Sequence, residues 1–264
     1  MLNQINIQDI VSIAKEAGNA IMQIYRQNFE VQYKQDNSPL TFADQTANNI
    51  IETGLNQLPV NLPILSEEGK NIPYEERKHW EYFWLVDPLD GTKEFINKNG
   101  EFTVNIALIY KNVPILGVVY APALDICYWA KQGEGAFKDG KRLPIKTEEQ
   151  RDAYEIVISR SHMSNETQVF IDAIETNKEK RLISIGSSLK ICLVAEGEAD
   201  IYPRLGPTME WDTAAAHTII NESEKLLKIY ENGEGIEFLY NKKNLLNQWF
   251  VVQEKLSFKD KPCK

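Results

Sequence analysis

Between Tyr82 and Phe95 the chain reads YFWLVDPLDGTKEF, and Asp87 and Asp90 stand together where an apolar run ends. Pro88 fixes its φ at about −65° and Gly91 tolerates conformations closed to other residues, so the spacing predicts a strand ending in a tight turn at Asp87. Carboxylates held that close repel, so one must take a proton or both must share a cation. A solvated Asp-Pro-x-Asp-Gly surface turn is the bland alternative. The buried strand before it favours function, because α/β scaffolds place sites on loops at strand ends. A glycosidase pair needs carboxyl groups about 5 to 9 Å apart with one kept protonated, which so short a turn does not supply. Magnesium suits better, since it takes oxygen ligands, commonly one or two carboxylates plus substrate phosphate, and the Leu89 carbonyl offers one more oxygen.

Other acids stand where they could complete such a site. Glu67 and Glu68 follow a short apolar strand in PILSEEG, and Asp212 precedes the small-residue helix start of PTMEWDTAAAH. Read alone, Glu68 is a solvated surface acid and Asp212 a helix N-terminal carboxylate favoured by the dipole. In RLISIGSSLKICLVAEG a strand runs into a hydroxyl-rich helix start, whose first turn can bind an anion while Leu189, Cys192 and Leu193 face the core. Lys190 then projects near the cleft. His162 sits in a loop after the strand Ile156 to Ile158, whereas His79 and His217 read as ordinary polar residues and Trp84 and Trp211 as core aromatics that stiffen the site.

These residues need a scaffold. Ile7, Ile10, Val11, Ala14, Ala17, Ile21, Met22 and Tyr25 recur at helical spacing, predicting an amphipathic helix over residues 7–28, and a second helix begins at Thr41. Short strands follow at Pro63 to Ser66 and Tyr82 to Val86. FTVNIALIY, ILGVVY and ICYWA, split by polar and Pro-containing connections, predict an antiparallel meander that continues through the Asp139-Gly140 turn. Beyond the polar stretch LPIKTEEQRD the rhythm becomes strand, helix, strand, helix, strand, helix, the pattern of an α/β half. The expected division is therefore 1–146 and 147–264, with no free linker and hence a shared interface.

Composition narrows the function. The chain has 264 residues, 43% hydrophobic and 25% charged, which is ordinary globular usage and excludes a disordered chain. A net charge of −9 and a pI near 5.1 argue against nucleic acid as the main partner, because the overall cationic field is missing. Cys127, Cys192 and Cys263 form no C-x-x-C pair and no even framework, which points to a reducing compartment. Neither a signal peptide nor an apolar run of about 18 residues is present, so no membrane span is expected.

LSEEG (65–69), WLVDPLDGTKEF (84–95), FTVNIALI (102–109), GVVYAP (117–122), SRSH (159–162), GSSLK (186–190), AEGEADIYPR (195–204) and WDTAA (211–215) occur in the order seen in the inositol monophosphatase superfamily. The chain resembles most its bacterial 3′(2′),5′-bisphosphate nucleotidase branch, to which SRSH, GSSLK and AEGEADIYPR point. The resemblance implies an α/β (α+β) sugar-phosphatase fold, a layered α-β-α-β-α sandwich with an N-terminal antiparallel-sheet half and a C-terminal α/β half. It implies a magnesium-dependent phosphatase that removes the 3′-phosphate of adenosine 3′,5′-bisphosphate to give AMP, with the 5′-phosphosulfate analogue as a second substrate. Inositol monophosphate or a sugar bisphosphate is the alternative substrate, and a noncatalytic binding protein on this scaffold is the alternative from another class. A cytoplasmic location follows, at most peripheral at the inner membrane face, as a monomer or homodimer with a small-molecule nucleotide bisphosphate as partner.

Residue by residue, the resemblance makes Glu67, Asp87 and the Leu89 carbonyl ligands of one magnesium, and Asp87, Asp90 and Asp212 ligands of a second. A third, weaker ion near Glu67 is a further option. Four carboxylates carry about −4 and a phosphate about −2, so two or three divalent ions bring the site near neutrality. Asp44, Glu67 and Thr92 are the implied catalytic residues, Thr92 orienting the attacking water and Asp44 pairing with Thr92. Asp44 also falls on the apolar stripe of its helix, where a carboxylate is costly unless partnered. Glu67, Leu89, Asp90, Gly91, Thr92 and Asp212 border the phosphate, and His162, Ser187, Ser188, Lys190, Tyr202 and Arg204 hold the nucleotide. After WDTAA relatives commonly carry Gly-His, where this chain has Ala216-His217, so the chain departs from the family pattern in its C-terminal helix and not in the ligands.

Overall fold

The computed structural model describes residues 2–26, 42–146, 151–160, 163–230 and 237–254, and the backbone alone of 32–33 and 39–40. Helix α1 (Ile7–Tyr25) starts behind Asn6, whose side chain accepts the Gln8 N–H at 3.1 Å. Its Ile10, Ala14, Ala17 and Ile21 are buried as the period predicts, and residues 27 and 28 of the expected helix lie outside the described residues. A short antiparallel pair, β1 (Gln32–Tyr33) with β2 (Pro39–Leu40), precedes α2 (Phe42–Asn56), whose expected first residue Thr41 is also outside them.

A seven-stranded sheet runs in chain order: β3 (Ile64–Ser66), β4 (Tyr82–Asp90), β5 (Thr103–Tyr110), β6 (Val113–Ala121), β7 (Ile126–Lys131), β8 (Gly135–Lys138) and β9 (Lys141–Arg142). Strand β3 is parallel to β4 and every later pair is antiparallel. The short helices α3 (Tyr74–Arg77) and α4 (Thr92–Ile96) flank β4. Strand alternation sends Trp84, Val86, Val104, Ile106 and Val118 against α1 and α2, and Phe83, Leu85, Ala107, Ile109 and Val119 to the opposite face.

The second half supplies β10 (Ala153–Ser159), α5 (Asn165–Asp172), β11 (Glu179–Ile185), α6 (Leu189–Glu196), β12 (Ile201–Arg204), α7 (Ala214–Glu222), β13 (Lys225–Ile229) and β14 (Phe250–Glu254). Its five strands lie in the order β11-β10-β12-β14-β13, with β10 parallel to β11 and β12, and β14 antiparallel to β12 and β13. Leu189, Cys192, Ala215 and Ile219 pack between Leu85 and Val119 of the large sheet and Val157, Tyr202 and Val252 of the small one. Ile156, Ile201 and Val251 face outward onto Ile171 of α5. The layers are therefore α1/α2, large sheet, α6/α7, small sheet and α5, the α-β-α-β-α sandwich expected. Gly117 permits the tightest of these contacts, since a Cβ there would stand 2.2 Å from the Ala215 carbonyl oxygen.

Two expectations need correction. Strand β4 does not end at Asp87. Asp87 pairs with Asn105 and Asp90 with Thr103 on β5, with a register shift between them, so Pro88 is accommodated by a bulge instead of a chain reversal. The strands β13 and β14 are additions to the expected pattern, each a short run of five residues.

Candidate active site

The bulge sets the two aspartates. Asp87 is 1% exposed, and its Oδ1 accepts the Leu89 N–H at 3.1 Å, turning Pro88 and Leu89 so that Asp90 emerges at the sheet edge. Gly91, at φ +95°, then starts α4, and its position beside the Glu101 carbonyl leaves little room for a side chain. Glu67 follows β3 and donates its N–H to the Val86 carbonyl at 3.1 Å, which sets it beside the Val86–Asp87 part of β4. Asp212 closes a 3-10 turn at Glu210–Asp212 ahead of α7, its Oδ2 accepting the Met209 N–H at 2.8 Å.

These ends open on one cavity of about 520 Å³, lined by Asp44, Glu67, Asp90 and Asp212 together with Lys190 and Arg204. Glu68, Gly91, Thr92, Ser187, Ser188 and Tyr202 complete the expected residues on its walls. Asp87 and Leu89 are buried behind that lining. His162 lies outside the described residues. Asp44, at 4% exposed, does sit on the buried face of α2.

Electrostatics show how crowded the acids are. Burial raises the Asp87 carboxyl well above the usual range, and Glu67, Asp90, Asp212 and Asp44 push it further. Asp212 is raised well above its ordinary value by burial and by Asp90. Asp90 is raised by burial, opposed by Lys190 and by the hydrogen bond from Ser188. Burial lowers the Lys190 ammonium, Asp90 opposes this and Arg204 adds to it. Lys190 Nζ donates to the Ser187 carbonyl at 2.5 Å, and Arg204 Nη2 to the Pro207 carbonyl at 2.7 Å.

Among the described residues no three acidic, His or Cys side chains already close on one point as a metal cage. The acids instead line an open cleft, an all-oxygen donor set whose mutual repulsion calls for cations. Magnesium fits that arrangement, because it retains several waters and needs few carboxylates per ion.

Three residues at the site were not anticipated. Asn105 donates to Ser188 Oγ at 2.9 Å, Glu101 accepts the Gly186 N–H at 2.8 Å, and Glu210 is fully buried and accepts from the Asn241 N–H at 2.6 Å and from Lys242 Nζ at 2.6 Å. A signal existed for Asn105. Asn105 is a buried amide in a strand otherwise almost wholly apolar, and a buried amide usually has a hydrogen-bond partner.

Acids and cations gathered in one cleft, where a layered fold brings strand and helix ends together, define a metal-dependent phosphatase. The inositol monophosphatase family profile matches residues 4–248, and the chain belongs to that family, whose members are metal-dependent phosphatases that generally use magnesium. It is 50% identical over 217 residues to the 3′(2′),5′-bisphosphate nucleotidase CysQ of Salmonella typhimurium strain LT2, covering 81% of this chain and 86% of that one. The protein of the same name from Buchnera aphidicola is 44% identical over 251 residues, with 93% and 92% covered. The crystal structure of CysQ from Bacteroides thetaiotaomicron superposes with a TM-score of 0.86 at 43% identity, covering 96% of this chain and 98% of that one. No described helix is long and apolar enough to cross a membrane.

Proposed function

We propose that the chain is a magnesium-dependent 3′(2′),5′-bisphosphate nucleotidase that hydrolyses the 3′-phosphate of adenosine 3′,5′-bisphosphate to AMP and phosphate, and acts likewise on the 5′-phosphosulfate analogue. The observation that carries this reading is the single cleft lined by Asp44, Glu67, Asp90 and Asp212 together with Lys190 and Arg204. A substrate with two phosphates can use both the acids, through bound metal, and the cations. An inositol monophosphate has no second phosphate for the cations.

In this reading Glu67, Asp87, the Leu89 carbonyl, Asp90 and Asp212 would hold two magnesium ions, with room for a third beside Glu67. Bound there, the metal supplies charge neutralisation at the phosphate, a water of lowered pKa and stabilisation of the leaving oxygen. Thr92, supported by Asp44, orients the water in line with the P–O3′ bond that breaks. The main-chain N–H groups of Gly91 and Thr92 hold phosphate oxygens. Arg204 and Lys190 hold the second phosphate, Arg204 as a planar fork and Lys190 as a point charge, while Ser187, Tyr202 and His162 contact the nucleotide.

The same reading divides the work at residues 146 and 147, the first half carrying most of the metal ligands and the second the nucleotide contacts and Asp212. A cytoplasmic location belongs to it, supported by the free thiols of Cys127 and Cys192. The test is phosphate release measured side by side from adenosine 3′,5′-bisphosphate and inositol 1-phosphate, with magnesium and after chelation. Preference for the nucleotide that disappears on chelation is expected; preference for inositol phosphate would overturn the substrate assignment.

A further inference from the structure

The Ser188 hydroxyl joins the large sheet to the α6/α7 layer at the centre of the site. It lies 2.8 Å from Asp90 Oδ2, at the end of β4, and 2.6 Å from the Asp212 carbonyl oxygen, ahead of α7, while Ser188 itself leads into α6. Asn105 Nδ2, from β5, donates to the same oxygen at 2.9 Å and reaches Asp90 Oδ2 at 3.5 Å. A hydroxyl has one proton to give and two lone pairs. With Asn105 occupying one lone pair, the proton goes to the Asp90 carboxylate or to the Asp212 carbonyl. Ser188 is 3% exposed, so little of it remains for a substrate.

The chain spends strain to bring this hydroxyl here. Ser187 adopts φ +49°, an unfavourable conformation for a residue with a Cβ, and this reversal aims Ser188 at the aspartates. The Asn105 amide can be oriented only one way, since a reversed amide would set its oxygen against the Asp90 carboxylate. Its Oδ1 accordingly faces away and has no hydrogen-bond partner.

We propose that Ser188 and Asn105 act together as positioning residues for magnesium, fixing Asp90 of the large-sheet half relative to Asp212 of the other. This departs from the substrate-contact role that the family resemblance implies for Ser188, and it rests on Asp90 and Asp212 being ligands. Outer-shell partners of metal ligands set affinity because they hold the ligand oxygens in place before the ion arrives, and their loss typically weakens binding about 10- to 100-fold.

The test is calorimetric titration of magnesium chloride into metal-free, substrate-free protein. Ser188→Ala is expected to raise the magnesium Kd about 10- to 100-fold. Ser188→Thr, which keeps the hydroxyl, should stay within about threefold of the parent. Asn105→Ala should weaken binding in the same direction. The double variant should be only slightly weaker than Ser188→Ala, because Asn105 acts chiefly through the Ser188 oxygen and has only its long 3.5 Å approach to Asp90 besides. Thermal melts of the metal-free variants establish that each is folded, and if Ser188→Ala is not, Asn105→Ala decides. Asp90→Asn separates the two levels of argument. If it abolishes binding while folded Ser188→Ala binds like the parent, the positioning role is overturned; if Asp90→Asn binds normally, the ligand assignment beneath it fails instead.

Discussion

Glu101 grips Arg160 with both carboxylate oxygens, Oε2 accepting from Nε at 2.8 Å and Oε1 from Nη2 at 2.6 Å, and Oε2 also takes the Gly186 N–H at 2.8 Å. Glu101 precedes β5 in the large sheet, Arg160 follows β10, and Gly186 follows β11. One side chain therefore fixes the spacing of the two small-sheet loops that border the cleft. Glu101→Gln cannot accept this set of donors. It should raise the KM for adenosine 3′,5′-bisphosphate about fivefold, equivalent to about 1 kcal/mol, with kcat within about twofold of the parent, because the pair is partly exposed and holds loops instead of the metal ligands. Initial-rate kinetics check the split, and an effect confined to kcat would refute it.

Magnesium should stabilise the fold, since it binds the assembled site and not the unfolded chain. At a concentration about 100 times its Kd the gain is about 2.7 kcal/mol, or about 5 to 10 °C in thermal midpoint for a chain of this size. Chelation should reverse it. Asp87 has its carboxyl raised in the metal-free fold by burial and by Glu67, so this group opposes folding increasingly as pH rises above the unfolded carboxylate range. Metal-free Asp87→Asn, which keeps an oxygen for the Leu89 N–H, should melt higher than the metal-free parent at pH 8. Scanning calorimetry with and without chelator measures both.

Helix α1, the antiparallel run from β5 and the paired aspartates were legible from local traces, whereas the layering and the wider set of site residues were legible only through the family resemblance. Helical period marked α1, alternation and turn residues marked β5 to β7, and the two aspartates announced themselves by spacing. What stayed hidden depended on distant partners. Ending β4 at Asp87 was reasonable from Pro88 alone, and only pairing with Asn105 and Thr103 shows that the strand absorbs the proline as a bulge. Glu210 reads as one more surface acid beside Trp211, yet it is fully buried, and its partners Asn241 and Lys242 come from a segment about thirty residues away with no pattern to connect them.

His217 should make stability depend on pH. It is buried on α7, its Nδ1 lies 2.9 Å from the Tyr240 hydroxyl, and burial lowers its pKa to about 4. The unfolded chain takes up this proton below about pH 6.5 while the folded one resists it, so stability is full above pH 6.5 and falls as pH drops toward 4. The loss across that window is of order 3 kcal/mol. Urea unfolding of the parent and of His217→Gln at pH 7 and pH 4.5 should show a smaller drop in the variant. Equal drops would assign the acid lability to other groups.

Gly117→Ala tests whether helix packing sets the position of Asp212. The added methyl would stand 2.2 Å from the Ala215 carbonyl oxygen, and that oxygen belongs to the backbone of α7, so no side-chain rotation can relieve the contact. Helix α7 must move off β6, or β6 must bend. Overpacking of this kind costs about 1 to 3 kcal/mol, and a backbone clash belongs at the upper end, about 5 to 10 °C in thermal midpoint. Asp212 lies immediately ahead of α7, so a shift of the helix also carries a carboxylate away from Asp90. Magnesium affinity should then fall along with stability. A surface change of similar thermal cost, remote from α7, should leave affinity alone. Titration of both variants well below their melting temperatures distinguishes the cases, and a Gly117→Ala protein that binds magnesium like the parent would show that the aspartate holds its place independently of the helix.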